Sequence, residues 1–373
     1  MSTQPLQGLT ILDLGQYISA PLAGQNFADM GAQVIKIEPP HGEQARNIGL
    51  FGDTMVEACN RGKTSCALDL STEEGRATFY DMAATADVVI HNFLPRTAVK
   101  LGVDWSTLSQ RFPQLICGVV SGFGRLGPHA GSPGLDIMAQ AEFGVLGLTG
   151  EADGEPQRVG FAVADVLASH ALTSGVLAAV VARDRDGHGS LVETSLMEAT
   201  VHAQGAQWAE YAMTGQAPTR KGNGQQHAAP AAEVITVNGS SFVLSAYTDA
   251  KWSALCRAIG REDLLGDDRF ATNRCRVENR PALLEAIADA LSGMSAVAAV
   301  DMLRESGIVC GLIRTLDEIR EDPDLQAGGM LSEVESSAGE WLLLPTLPVV
   351  FNGERGNSTQ GAPPVGAGIR VTN

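Results

Sequence analysis

Between Gly160 and Val181 the chain carries one formal charge, Asp165, set among Ala, Val, Leu and Ser. A carboxylate in so apolar a run must be paired, hydrogen-bonded or put to chemical use. A helix N-cap would account for it without any function. The residue type also suits acyl transfer between carboxylic acids. A carboxylate can attack a thioester carbonyl, expel the thiolate and hold the acyl group as a mixed anhydride. That intermediate hydrolyses readily, so a dry, Ala/Val-walled site is its expected setting. His170, five residues on, points about 140° away on an ideal helix and reads as a packed histidine rather than a base. Asp136, in Gly134-Leu135-Asp136, either orients the site or caps the helix that follows it. The stretch from Lys221 to His227 is either a plain linker or a flexible Gly-bearing loop whose backbone N–H groups stabilise an oxyanion.

The elements that must position these residues alternate along the first 125 positions. LTILDL (9–14), QVIKIE (33–38), TSCALDL (64–70), DVVIHNF (87–93) and LICGVVSG (115–122) read as strands. One helix is expected from Pro21 to Met30, and another from a Ser71/Glu74 capping box to about Ala86. This rhythm predicts an α/β fold with a doubly wound, Rossmann-like parallel sheet. Residues 134–150 read as a helix entering a loop, 161–183 as a long buried helix, 191–196 as a strand, and 198–215 as one helix closed by Gly215.

Polar residues with Gly and Pro at 216–231 mark a linker. Beyond it, 232–329 reads as a smaller α+β domain. It has a hairpin turned at Asn238-Gly239, helices near 249–260, 280–292 and 295–306, a strand at 307–315, and a helix broken before Pro323. Residues 340–351 are strand-like, with prolines that suit an edge.

A length of 373 residues favours two domains. The net charge of −17 argues against nucleic acid and anionic membrane surfaces as partners. Six scattered cysteines without a CxxC pair fit reduced, cytoplasmic thiols and neither disulfides nor a metal site. No signal peptide is visible at the N-terminus. The apolar run at 166–182 contains Ser169, His170, Thr173 and Ser174 and reads as a core helix, not a membrane span. No GxGxxG follows the first strand, so the dinucleotide fingerprint is missing. Gly62-Lys63-Thr64 lacks the glycine five residues earlier that a P-loop needs.

In order along the chain stand GLTILDL, PLAGQNFADMGAQVIKIEPPHGEQAR, NRGKTSCALDL, ADVVIHNFLPRTAVKLGVDW, SGFGRLGP, GLDIMAQAEFGVLGLTG, the block around Asp165, GREDLLGDDRFATNRCRVENR and ESGIVCGLIRTLDEIREDPDLQAGGML. Together they resemble the family III CoA-transferases nearly end to end. The resemblance implies that Asp165 is the nucleophile and that the substrates are a CoA thioester and a small carboxylic acid, with no permanently bound cofactor. It implies an interlocked homodimer with the active site between domains and subunits, and a large CoA-binding domain that combines 1–215 with 330–373 around the inserted small domain. By resemblance the CoA arm runs past Ile18 and Ser19, past Leu68, Asp69, Leu70 and Ser71, and past Asn92, Phe93 and Leu94. Leu135 and Asp136 join that set. Arg46, Arg96 and Lys100 are its phosphate candidates, and Gly224 and Gln225 lie near the acyl group. Many relatives carry an arginine after the IKIE strand, where this chain has Pro39. With a net charge of −17, local cations must attract a polyanionic ligand against the overall field.

The same superfamily includes α-methylacyl-CoA racemases, which place a histidine before the aspartate of the GxD segment. Leu135 occupies that place here. Without a second proton-transferring group, two-base racemisation loses its partner, so CoA transfer is the expected activity and racemisation the alternative.

Overall fold

In the N-terminal strands, neighbouring apolar residues point to opposite faces of a sheet, and both faces are covered. The computed structural model describes residues 4–356 and 358–368. Its central sheet comprises β1 (Thr10–Asp13), β2 (Gln33–Glu38), β3 (Thr64–Ala67), β4 (Val88–His91), β5 (Ile116–Ser121) and β6 (Leu191–Ser195). The spatial order is β3-β2-β1-β4-β5-β6 and every pairing is parallel. Ile11, Val34, Val88, Ile90 and Ile116 pack on one face with Phe27 of the Ser19–Asp29 helix and Leu172 of the Val163–Asp186 helix. Their neighbours Leu12, Ile35, Val89 and Cys117 pack on the other with Phe79 and Leu108. Each such fully buried aliphatic side chain contributes roughly 1.5–3 kcal/mol, which fixes the strand register on both faces. Strand order reverses between β1 and β4. That switch point is where open α/β sheets bind ligands, beyond the carboxyl ends of the strands.

The chain divides into two units. The first comprises residues 1–145, 158–216 and 323–373. The second comprises 146–157 and 217–322, so 146–157 groups away from the rest of 1–215. In the second unit β7 (Glu233–Val237), β8 (Ser240–Ser245) and β9 (Val309–Leu312) form an antiparallel sheet in sequential order. Asn238 and Gly239 turn the hairpin with φ of 48° and 80°, the two positive values that a type I′ turn requires.

Several expectations need correction. The helix starting after β3 is capped by Thr72, whose hydroxyl accepts the Gly75 N–H, and not by Ser71. The Ser71 hydroxyl is turned to the Asp69 carboxylate instead. That helix, Glu73–Ala83, ends earlier than Ala86. The expected 198–215 helix is two helices, Leu196–Ala203 and Gly205–Thr214, meeting at Gln204. Residues 340–351 are not one strand. Trp341–Pro345 pairs with Leu331–Glu335, and Val350–Phe351 pairs with Glu354–Arg355, with Pro345 and Pro348 interrupting the ladder. The Val163–Asp186 helix is buried on one face only. His170, Ala171, Ser174 and Val181 are exposed. It is long and apolar enough to cross a membrane by length and composition, yet it packs on β5, β6 and the Ser19–Asp29 helix of its own unit.

The cap assignment is testable. Thr72→Ala should lower stability by about 1 kcal/mol in urea unfolding, while Ser71→Ala should leave it nearly unchanged. The reverse ranking would restore the Ser71 cap.

Candidate active site

Asp13 ends β1 with its carboxylate wholly buried. One oxygen accepts the Gly15 N–H at 2.7 Å and the other accepts the Lys63 ammonium at 2.6 Å. Lys63 also donates to Pro21 O and Asn60 Oδ1. Gly24 makes room for this pair, since a Cβ there would lie 2.8 Å from Asp13 Oδ2 and 2.9 Å from Lys63 Nζ. Lys36 of β2 is equally buried. It donates to Gly15 O and pairs with Glu43 at 2.9 Å. The second Glu43 oxygen accepts the Tyr17 N–H at 2.8 Å. Tyr17 has φ of 62°, a left-handed conformation disfavoured for a bulky residue. The Glu43 acceptor is the local interaction that holds it there. Asn92, just beyond β4, exchanges two hydrogen bonds with the Gln16 backbone and donates to the Ser19 hydroxyl at 3.3 Å. The loop from Gly15 to Ser19 is therefore pinned from below and from the side.

Above the strand ends lies a crevice of about 360 Å³ lined by Leu68, Asp69, Leu70, Ser71, Asn92, Phe93 and Leu94. These are seven of the residues expected along a CoA arm. Gln16, Glu43, Gln44 and Thr97 also line it, and sequence reasoning missed all four. The signal that could have found them is their place beyond the carboxyl ends of parallel strands. Ile18 lies elsewhere, in a second cavity on the Val163–Asp186 side. Ser19 is buried and lines neither.

The phosphate candidates fare differently. Arg46 is tied to Glu38 at 2.8 Å and to Pro363 O at 2.8 Å, with little of its side chain exposed. It serves to anchor the C-terminal tail. Arg96 and Lys100 are exposed on the Pro95–Leu101 helix, beside the crevice residues Thr97 and Leu101. Arg76 donates to Leu70 O and Ser71 O at 3.0 Å each, so it braces the crevice wall.

Asp165 is not an N-cap. It lies in the first turn of the Val163–Asp186 helix, whose N-cap position, Ala162, offers no side-chain acceptor. Asp136 supplies the missing acceptor from another element. Its Oδ1 accepts the Ala164 N–H at 2.7 Å and the Asp165 N–H at 3.4 Å. Its Oδ2 accepts from Gln140, which in turn accepts the Val159 N–H. Asp136 thus caps the helix of Asp165 and not its own, an arrangement of the orienting kind rather than a cap of the helix that follows it. Burial pushes the Asp165 carboxyl up to about 7, the Asp136 charge adds to the rise, and a hydrogen bond from Ser19 opposes it. A helix N-terminus alone would favour the ionised form, so burial and the like charge win. A carboxyl with that value is partly ionised at neutral pH, as a nucleophile needs.

His170 is exposed, contrary to the packed histidine expected, and borders the second cavity. Leu135 is 64% exposed, and His129 is exposed against the Phe123 ring. Gly224 and Gln225 belong to the second unit. Arg280 holds this loop by donating to Gln225 O and Ala228 O while pairing with Glu233. A Cβ at Gly224 would collide with that pair, so the glycine is structurally required there whatever else the loop does. Among the described residues, no group of three or more His, Cys, Asp or Glu is placed to hold a metal.

A crevice at the switch point of a parallel sheet, with a half-buried carboxylate of raised pKa in the same unit, suits an acyl-handling α/β enzyme. Residues 6–368 match the family model for CoA-transferase family III, and the chain belongs to that family. It is 31% identical over 93% of its length to a succinate–glutarate CoA-transferase of Agrobacterium fabrum, covering 90% of that protein. It is 34% identical over 98% of its length to an acetyl-CoA:oxalate CoA-transferase of Acetobacter aceti, covering 95% of it. The crystal structure of a CaiB/BaiF family protein from Brucella suis superposes with a TM-score of 0.86 at 32% identity, covering 98% of this chain and 97% of that one. The chain is thus an enzyme of the CoA-transferase family, acting on CoA thioesters.

The electrostatics predict a pH profile. Any rate that depends on ionised Asp165 should fall as pH drops through about 7, where this carboxyl takes up its proton. Asp136→Asn keeps an oxygen for the Ala164 N–H and removes the like charge, so it should move this acid limb to lower pH. A limb that stays put or moves up in kcat/KM measurements would refute the coupling.

Proposed function

We propose that the protein moves CoA from an acyl-CoA donor to a short carboxylic acid through an anhydride on Asp165. The observation that carries this reading is the series of neighbours from crevice to carboxylate: Asn92 lines the crevice and donates to Ser19, and Ser19 lies close enough to Asp165 to favour its ionised form. A thioester whose arm lies in the crevice would end near that carboxylate. The Asp165 oxygen attacks the thioester carbonyl, the C–S bond breaks, and CoA leaves as thiolate. The thiolate then attacks the aspartyl carbonyl of the anhydride, freeing the donor acid and placing CoA on Asp165. The incoming acid displaces CoA from Asp165, and the thiolate recovers the new acyl group, restoring the carboxylate. Each step exchanges one carboxylate or thiolate for another, so no proton need move.

Arg96 and Lys100 are the proposed phosphate contacts, since Arg46 is engaged with Glu38. The named activities of the two relatives involve succinate, glutarate and oxalate, which supports short dicarboxylic acids as substrates. The six cysteines carry no disulfide, in keeping with a cytoplasmic enzyme. The half-exposed, Ala-rich face of the Val163–Asp186 helix supports a homodimer in which a second copy covers it. Gly224 and Gln225 are proposed to approach the acyl group in that assembly.

Asp165→Ala should reduce transfer by roughly a thousandfold or more, with folding intact by circular dichroism. Hydroxylamine added during turnover should convert wild-type Asp165 to a hydroxamate detectable by peptide mass. A fully active alanine variant would sink the anhydride. Sedimentation should give a species of twice 39.1 kDa that persists at micromolar concentration. A stable monomer would refute the shared assembly.

A further inference from the structure

A second cavity, of about 350 Å³, lies along the Leu22, Gln25 and Asp29 face of the Ser19–Asp29 helix. These positions recur at helical spacing and so share one side. Ala162 and Val166, which flank Asp165 in the chain, also line it. Cys59 in its wall has its thiol pushed up to about 12, chiefly by burial, and the nearby Asp165 charge contributes to that rise. The walls near this end are apolar, with Leu22, Met55 and Phe161.

The polar end has unmet hydrogen-bonding capacity. Gln25 is 2% exposed, and neither its amide nitrogen nor its amide oxygen has a partner among the described residues. Arg61 is 3% exposed. Its Nη2 donates to Asp29 at 2.7 Å and its Nη1 to Pro345 O at 2.8 Å, which fixes the guanidinium, while Nε has no partner. Buried polar atoms are nearly always hydrogen-bonded, and an unpaired group that faces a cavity implies a ligand that pairs it. Two N–H bonds of Gln25 and one of Arg61 are thus free to donate. Donors of this number suit a carboxylate, which only accepts.

We propose that this cavity is the acid subsite, and that Gln25 and Arg61 bind a second carboxylate at the far end of the substrate. The proposal rests on the transfer reading above. The reacting carboxyl would lie toward Asp165, the short hydrocarbon chain against the apolar walls, and the distal carboxylate on the Gln25 and Arg61 N–H groups. A site built to hydrogen-bond one end of a substrate discriminates strongly against an analogue that lacks it.

The test compares glutarate with valerate, acids of equal chain length, as acceptors from one acyl-CoA donor. The wild type should favour glutarate in kcat/KM, and Gln25→Leu should cut the glutarate-to-valerate ratio by about tenfold or more. An unchanged ratio, or a wild type that favours valerate, overturns the proposal. Should Gln25→Leu fail to fold, Gln25→Glu gives the same reading, since its carboxylate repels that of glutarate. A wild type that moves CoA to no acid would instead defeat the transfer reading. In that case glutarate binding to wild type and variant is compared by equilibrium dialysis. Weaker binding to the variant supports the subsite, and equal binding overturns it.

Discussion

Four charges buried beneath the strand ends hold this site together. Asp13, Lys36, Lys63 and Glu43 are all removed from water. Burial alone would raise the Asp13 carboxyl, yet Lys36 and Lys63 outweigh it and hold Asp13 below the usual range. Lys63 is also held below its usual range, first by burial and then by its neighbour Lys36, against the pull of Asp13. No member can be removed without stranding another, and breaking a buried pair costs about 3–5 kcal/mol. The network is therefore an obligatory frame that joins β1, β2 and the segment before β3.

That frame decides the shape of the loop from Gly15 to Ser19. Asp13 takes the Gly15 N–H, Lys36 takes the Gly15 carbonyl, and Glu43 takes the Tyr17 N–H. This loop borders two cavities, with Gln16 lining one, Ile18 the other, and Ser19 buried. In the proposed reaction one cavity takes the thioester arm and the other the acid. The two meet at the carboxylate that Ser19 contacts. A second constraint comes from Asp136. By capping the Val163–Asp186 helix it fixes the first turn that carries Asp165, and the same negative charge raises that carboxyl. One residue thus holds the backbone of this turn and adds to the rise of a carboxyl that burial dominates.

The stability invested in this arrangement is local. Tyr17 adopts a conformation that costs energy in isolation, and the buried amide of Gln25 goes without partners. Both lie within a few residues of Ser19. The remainder of the first unit is an ordinary two-faced sheet whose packing supplies the rigidity that these features need.

The sequence by itself determined the sheet and singled out Asp165. Strands such as QVIKIE declared themselves by apolar runs bounded by turn residues, and β2 matches its expected limits from Gln33 to Glu38. Asp165 stood out because an isolated charge in an apolar run is costly. What the sequence left open were side-chain choices settled by contacts distant in the chain. Ser71 and Thr72 offer equal hydroxyls, and only the geometry of the turn selects Thr72. Arg46 looked free for a phosphate, but Glu38 and a carbonyl from the far end of the chain claim it. Asp136 caps a helix that begins beyond the one it starts. The unmet amide of Gln25 is invisible in any linear reading. Periodicity reports which face a residue turns, a short-range property of the backbone. Pairing, capping and the shape of a cavity depend on what the completed fold brings opposite it, and only the tertiary structure decides that.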